Sequence, residues 1–299
     1  GDLNSLILVH NDERMLVDPG HACYRNLYHG IETGTRTHNT CTFMADNTDA
    51  VLRPMEDQIG MKTLEQSKMT RRHRNGNVPD EPADRGGRQL IAAQLDDLRV
   101  MGGEASKLYG NPLTHFGRFV ILCGSNVVFV VDHIQASAPV KTHWHWLLNN
   151  RDDTLDYRYI GKDRIVARRG NTGMKLFHCA EGKPSTVSFA CVHDAYHCLP
   201  NHRGEGRPGS GHLLTWGDTQ KRTQLTALHA IAVDRYGPVA DWHLKPDETG
   251  TSMVGLAGCV DWHIQLIEQN SILISERVSG REYELLLQDS TQWTLTKKN

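Results

Sequence analysis

Residues 118–134 read Arg-Phe-Val-Ile-Leu-Cys-Gly-Ser-Asn-Val-Val-Phe-Val-Val-Asp-His-Ile. Two runs of apolar, mostly β-branched or aromatic residues flank the segment Cys123-Gly124-Ser125-Asn126, whose glycine and asparagine favour a tight turn. Strands joined by so short a turn pair antiparallel. The stretch therefore predicts a β-hairpin near the middle of the chain.

Runs of the same kind recur on both sides of this hairpin, and clusters of Gly, Asn, Asp and Pro separate them. They are Ser5 to His10, Thr186 to Val192, Gln224 to Val233, Ser271 to Ser275 and Tyr283 to Leu287. Short strands at this spacing are typical of an antiparallel sandwich. We predict an all-β fold, a large multi-stranded antiparallel β-sandwich of the supersandwich type.

The segment Thr142 to Leu147 alternates in a way that assigns its two faces. Trp144 and Trp146 lie on one face of a strand, and His143 and His145 lie on the other. The indoles are predicted to belong to the sandwich core. Because no third ligand lies nearby in sequence, the two histidines do not by themselves predict a metal site.

Two further pairs of titratable residues are assigned no catalytic role. Asp132-His133 is expected at the end of a strand, and Asp96-Asp97 is expected at an exposed edge or in a turn.

Two segments interrupt the strand pattern. Residues 55–88 are polar with little apolar periodicity, apart from a helical pattern over Pro54 to Lys68, and predict a mobile insertion. Asn201 to Gly211 is rich in glycine and proline and predicts a second loop. Since no linker divides two cores, we expect residues 1–299 to form a single domain.

Composition excludes several classes of function. A formal net charge of -2 does not favour sequence-independent nucleic-acid binding, and no apolar run is long enough for membrane insertion. The seven cysteines form no C-x-x-C pair, which excludes a Cys-rich zinc ribbon, and Cys41 and Cys123 lie in apolar runs typical of buried, unreactive thiols. No nucleophile elbow, phosphate loop or dinucleotide fingerprint is present.

Three short blocks near the start of the chain carry candidate chemistry. They are Asp2-Leu3-Asn4-Ser5-Leu6, Leu16-Val17-Asp18-Pro19-Gly20 and Arg36-Thr37-His38-Asn39-Thr40. A carboxylate and an imidazole beside short apolar runs can hold a metal ion at the edge of a sheet. Asp18 is equally typical of a turn cap before Pro-Gly, and the ring of His38 can simply bond a neighbouring backbone group.

Taken together, these blocks resemble the start of the C-terminal β domain of heparinase II/III-like polysaccharide lyases. That family has an opening H-x-H-x-D-x-N-S-F stretch, then a D-x-G turn, then an H-N-T strand. Tyr109, residues 115–134 and residues 141–147 are similar to its next hairpin and strand. The resemblance covers roughly residues 2–147, and the rest of the chain is only generically β.

The resemblance implies a metal site and a substrate site. Asp18 and His38 would be two ligands of a zinc ion, and the third, a histidine, would fall just before Gly1, so that this chain alone is expected to bind metal weakly or not at all. Substrate contacts would come from Tyr24, Arg25, Arg36 and Asn39. The arginines suit a carboxylate or sulfate, which guanidinium binds in a bidentate way, but each can also be a solvated loop residue.

The reaction implied is β-elimination at a uronic acid unit of an acidic polysaccharide. In that family the tyrosine acid/base and the asparagine that neutralises the substrate carboxylate lie on an N-terminal α/α toroid, so we expect this chain to be inactive without such a partner domain. A periplasmic or secreted location would follow. The alternative is a non-catalytic carbohydrate-binding β-sandwich module. A stand-alone metal-dependent hydrolase would need ligands that the sequence does not offer.

Overall fold

A computed structural model describes residues 3–18, 35–45, 87–150, 152–180, 182–190, 210–255, 261–267, 270–288 and 292–298. The described chain consists mainly of antiparallel strands, which confirms the predicted all-β fold. A 3-10 turn (Thr35–Thr37) and two short helices, α1 (Ser106–Tyr109) and α2 (Tyr236–Val239), complete it. Each helix has four residues, far short of the ~20 that a membrane span needs.

The strands follow one another in chain order as β1 (Leu8–His10), β2 (Glu13–Leu16), β3 (Cys41–Met44), β4 (Arg88–Leu95), β5 (Leu98–Glu104), β6 (Leu113–Cys123), β7 (Val127–Leu148), β8 (Asp156–Ile160), β9 (Arg164–Arg169), β10 (Thr172–His178), β11 (Lys183–Ala190), β12 (Ser210–Gly217), β13 (Arg222–Arg235), β14 (His243–Pro246), β15 (Thr251–Val254), β16 (Trp262–Ile267), β17 (Ser271–Glu276), β18 (Arg281–Leu287) and β19 (Trp293–Lys298). Among the described residues, β1 to β13 join in one sheet and β14 to β19 form a second. The predicted hairpin at 118–134 corresponds to β6 and the first part of β7.

Strand β7 is the spine of the large sheet. Its first half pairs with β6 and β13, and its second half pairs with β3 and β12. The sequence indicated two separate runs here, but the 22 residues form one continuous strand. The register of β13 shifts between Arg222 and Gln224, opposite residues 135–140, where the change of partners takes place.

Two apolar cores fill the spaces between layers. The first lies between the two halves of the large sheet and contains Trp144 and Trp146, as the alternation predicted. The second lies between the large sheet and the six-stranded sheet and contains Phe119 and Trp262. The half of the large sheet that contains β6, β13 and the first part of β7 is thus covered on both faces, and this part of β7 carries side chains into both cores.

Other local predictions have mixed outcomes. Asp96 and Asp97 form the β4–β5 turn as expected, and the Asp96 carboxylate accepts hydrogen bonds from the Tyr283 hydroxyl at 2.8 Å and from Lys297 at 2.7 Å, tying this turn to the second sheet. Asp132 and His133 were expected at a strand end, which is wrong: both are buried in the middle of β7. The buried carboxylate of Asp132 requires partners inside the protein.

Cys41 and Cys123 are buried, as predicted. Burial raises the pKa of both thiols well above the usual value, so neither is a thiolate near neutral pH.

The predicted insertion lies mostly outside the described residues, as does the predicted helix at 54–68. The structure resumes at residue 87, and β4 begins at Arg88. The loop at 201–211 also lies mostly outside, since β12 begins at Ser210. The single-domain organisation stays a prediction.

Candidate functional site

The three sequence blocks meet at the second half of β7. The backbone N–H of Val17 donates to the Leu147 carbonyl at 3.0 Å, and the N–H of His145 donates to the Thr40 carbonyl at 2.9 Å. The Thr40 hydroxyl donates to the Leu3 carbonyl at 3.2 Å. Segments that are far apart in sequence are therefore fixed on one strand by backbone hydrogen bonds.

Asp18 and His38 face each other in this arrangement. The Nε2 atom of His38 lies 3.3 Å from the Oδ2 atom of Asp18, and the His38 side chain is 4% exposed whereas that of Asp18 is 37% exposed. The expectation that the two residues come within a few ångströms of each other is confirmed. One imidazole is thus held beneath one carboxylate that reaches solvent.

The separation of these atoms suits a shared metal ion. Two ligands bound about 2.0–2.1 Å from a tetrahedral zinc ion lie roughly 3.3 Å apart, which is the distance between His38 Nε2 and Asp18 Oδ2. A zinc site needs about four ligands, and no group of three His, Cys, Asp or Glu residues suited to a metal occurs in the described part of the chain. The pair therefore fits as half of a site.

Asn39 is placed differently from its predicted role. Its side chain is fully buried, and its amide forms hydrogen bonds with the carbonyls of Leu6 and Val17 and with the N–H of Leu147. Its predicted substrate contact stays a prediction, and no exposed atom of the side chain supports it. Sequence reasoning missed its structural role because all three partners are distant along the chain.

Arg36 is a candidate for substrate contact that lies within the described residues and whose charge has no partner among them. Its side chain is exposed, and it forms no hydrogen bond or ion pair among the residues that the structure describes. Its charge is one of the causes that lower the pKa of His145 in β7. Tyr24 and Arg25, the other two candidates, lie outside the described residues.

His143 and His145, in the second half of β7, line the face beside this site. Both ring nitrogens of His145 are hydrogen-bonded to threonine hydroxyls, Nε2 to Thr42 at 2.8 Å and Nδ1 to Thr215 at 2.9 Å. Burial, then the charges of His143 and Arg36, lowers the pKa of His145 to about 3, so the ring is neutral. His143 needs the glycine opposite it, because a β-carbon at Gly217 would come 2.6 Å from its ring.

A buried ion pair supports the site from below. The Arg118 guanidinium donates to Asp132 from Nε at 2.6 Å and from Nη2 at 2.8 Å. Its remaining N–H groups donate to the Asn4 and Asn39 carbonyls and to the sulfur of Cys41. All five donors are satisfied, a completeness that makes a buried guanidinium tolerable.

The sequence comparisons found no match, neither to a protein-family model nor to a curated protein. Solved structures do match. The heparan sulfate lyase HepC from Pedobacter heparinus has a TM-score of 0.53 at 10% identity, with 99% of this chain and 36% of that chain covered. A mutant of HepC gives 0.55 at 11% identity over the same shares.

A second similar protein is the heparinase III known as the BT4657 gene product. It has a TM-score of 0.56 at 11% identity, with 100% of this chain and 36% of that chain covered. The chain thus spans about a third of the length of these lyases. At such low identity the likeness concerns the fold alone: this chain shares the architecture of the matching part of the heparan sulfate lyases.

Proposed function

We propose that this chain is the C-terminal β domain of a polysaccharide lyase that cleaves uronic-acid-containing acidic polysaccharides, of the glycosaminoglycan or alginate type, by β-elimination. The observation that carries the proposal is the 3.3 Å approach of His38 to Asp18, produced by blocks that also resemble this family in sequence. The shared architecture over the whole chain supports it.

The chemistry assigns this chain a supporting part in the reaction. Removal of a proton next to a carboxylate requires a base and strong stabilisation of the negative charge that develops. We place the acid and base on an α/α toroid in the same polypeptide and in front of this domain. Arg36, with Tyr24 and Arg25 as further proposed contacts, would bind the carboxylate or sulfate groups of the substrate.

Asp18 and His38 would hold a zinc ion together with a histidine that precedes Gly1. If bound there, zinc would supply a fixed positive charge beside the proposed substrate contacts. Because the polymers concerned are extracellular, the proposal includes a periplasmic or secreted location.

Arg36 provides a direct test of the substrate class. Arg36→Ala should weaken the binding of this chain to uronate polymers about tenfold, since a charge-assisted hydrogen bond to an anion contributes roughly 1.5 kcal/mol or more. Affinity electrophoresis or calorimetry with heparan sulfate and alginate, beside neutral dextran, measures the effect.

Arg158→Ala is the matched control for this substitution. Arg158 is also exposed and forms no hydrogen bond or ion pair among the described residues, but it lies on the edge strand β8. We expect less than a twofold change. Equal weakening by both variants, or no binding of any acidic polymer by the unmodified chain, would contradict an acidic-polysaccharide site at Arg36.

A further inference from the structure

Asn39 contacts every segment that builds the candidate site. Its Nδ2 atom donates to the Leu6 carbonyl at 2.7 Å and to the Val17 carbonyl at 2.9 Å, and its Oδ1 atom accepts from the Leu147 N–H at 2.6 Å. Its backbone N–H donates to the Ser5 hydroxyl at 3.1 Å. One residue thus joins the opening block, the Asp18 block and strand β7.

A second layer holds Asn39 itself in place. The Nη1 atom of Arg118 donates to the Asn39 carbonyl at 2.8 Å and to the Asn4 carbonyl at 3.1 Å. The guanidinium is fixed in turn by its two bonds to Asp132. The amide is therefore clamped on both its side-chain and its backbone atoms.

The partners of Asn39 are adjacent in sequence to the two candidate ligands. Val17 immediately precedes Asp18, and His38 immediately precedes Asn39. A displacement of the Asn39 amide would therefore move the carboxylate and the imidazole relative to each other. Groups that orient metal ligands in this indirect way commonly change metal affinity by about 10–100-fold when they are removed.

We propose that Asn39 is a positioning residue that sets the separation of Asp18 and His38 and anchors the opening segment beside them. The expected effect of Asn39 on metal affinity rests on the proposed function, whereas its effect on the positions of Asp18 and His38 does not. An amide is required because only an amide combines two N–H donors with a carbonyl acceptor in one short planar group. Aspartate lacks the donors, and alanine lacks all three groups.

Hydrogen exchange tests the geometric part without any metal. In Asn39→Ala, exchange should accelerate at least tenfold in peptides that cover residues 15–18 and 145–148, while peptides from β17 and β18 keep their protection. The control is Asn126→Ala, which removes a side-chain bond of 2.7 Å to the Val233 carbonyl at the β6–β7 turn. That variant should leave residues 15–18 and 145–148 unchanged. Unchanged exchange at these residues in Asn39→Ala would overturn the positioning role.

Cobalt binding tests the metal part, and it is measured in the full-length gene product because the third ligand is proposed to precede Gly1. We expect the visible absorption of Co²⁺ to titrate with at least tenfold weaker affinity in Asn39→Ala, to be lost in Asp18→Ala, and to change less than twofold in Asn126→Ala. Ser5→Ala removes only the acceptor of the Asn39 N–H and should weaken Co²⁺ binding twofold to fivefold. If Asn39→Ala does not fold, Ser5→Ala replaces it in both the hydrogen-exchange and the Co²⁺ experiments.

The outcomes separate the two parts of the proposal. If the unmodified full-length product binds no Co²⁺ while the exchange result holds, the metal site is wrong and the positioning of the two side chains is right. If Asn39→Ala in that product binds Co²⁺ as tightly as the unmodified product does, the positioning proposal is wrong.

Discussion

Arg118→Met is expected to lower the free energy of unfolding by about 3–5 kcal/mol, the usual cost of removing one partner of a buried ion pair. Asp132 is fully buried and would lose both of its bonds to the guanidinium. It would keep the bond of 3.1 Å from the Trp144 indole and the weak bond of 3.7 Å from the Cys41 thiol. Two neutral donors, one of them a thiol, do not compensate a buried carboxylate charge.

Urea unfolding at neutral pH measures this change as a shift of the midpoint at constant slope. Arg164→Met is the matched control, because Arg164 pairs with Asp163 at 3.1 Å on the surface, where both side chains are exposed to solvent. A surface pair contributes about 0–1 kcal/mol. If Arg118→Met cost no more than Arg164→Met, the buried pair would not be the support that the structure indicates.

Acid is expected to destabilise the protein well before most carboxylates titrate. Burial is the largest cause that lowers the pKa of His145 to about 3 and that of His133 to about 4. The unfolded chain binds these protons near pH 6.5, so stability is complete above that value and falls as the pH drops toward the folded pKa. At pH 5 each histidine should cost about 2 kcal/mol, roughly 4 kcal/mol together.

His133→Leu isolates one half of this effect. Among the described residues, neither ring nitrogen of His133 has a hydrogen-bond partner, and the ring packs against Phe119 and Trp293. Leucine should therefore be tolerated at pH 7 and should reduce the stability lost between pH 7 and pH 5 by about 2 kcal/mol. Urea unfolding at both pH values checks this, with the exposed His243→Gln as control. An unchanged pH dependence in His133→Leu would refute a buried neutral imidazole at this position.

The strands were largely predictable from the sequence because their signal is local. The runs at 224–233, 271–275 and 283–287 lie within β13, β17 and β18. The alternation at Trp144 and Trp146 assigned the core face correctly, since period-two patterning depends only on neighbouring residues. What the pattern did not show is that β7 continues from Val127 to Leu148 and changes partners on the way.

The candidate site was predictable only in part. Asp18 and His38 were identified from their motifs, and the structure brings them together. The structural roles of Asn39 and Arg118 were not predictable, because their hydrogen-bond partners lie far away in sequence. Leu147 is 108 residues from Asn39, and Asn39 is 79 residues from Arg118. A buried polar network depends on which segments pair in the tertiary structure, and the local sequence pattern does not predict that pairing.

The proposed lyase function is tested most directly by absorbance in the unsaturated-uronate band during incubation with heparan sulfate, alginate and other uronate polymers. The full-length gene product that contains this chain is compared with the chain alone and with full-length Asp18→Ala and His38→Ala, all with zinc present. We predict rising absorbance with at least one polymer for the full-length product, strongly reduced activity in both variants, and none for the chain alone. If the full-length product caused no rise in absorbance with any polymer, the proposed lyase function would be contradicted and a non-catalytic carbohydrate-binding module would be favoured.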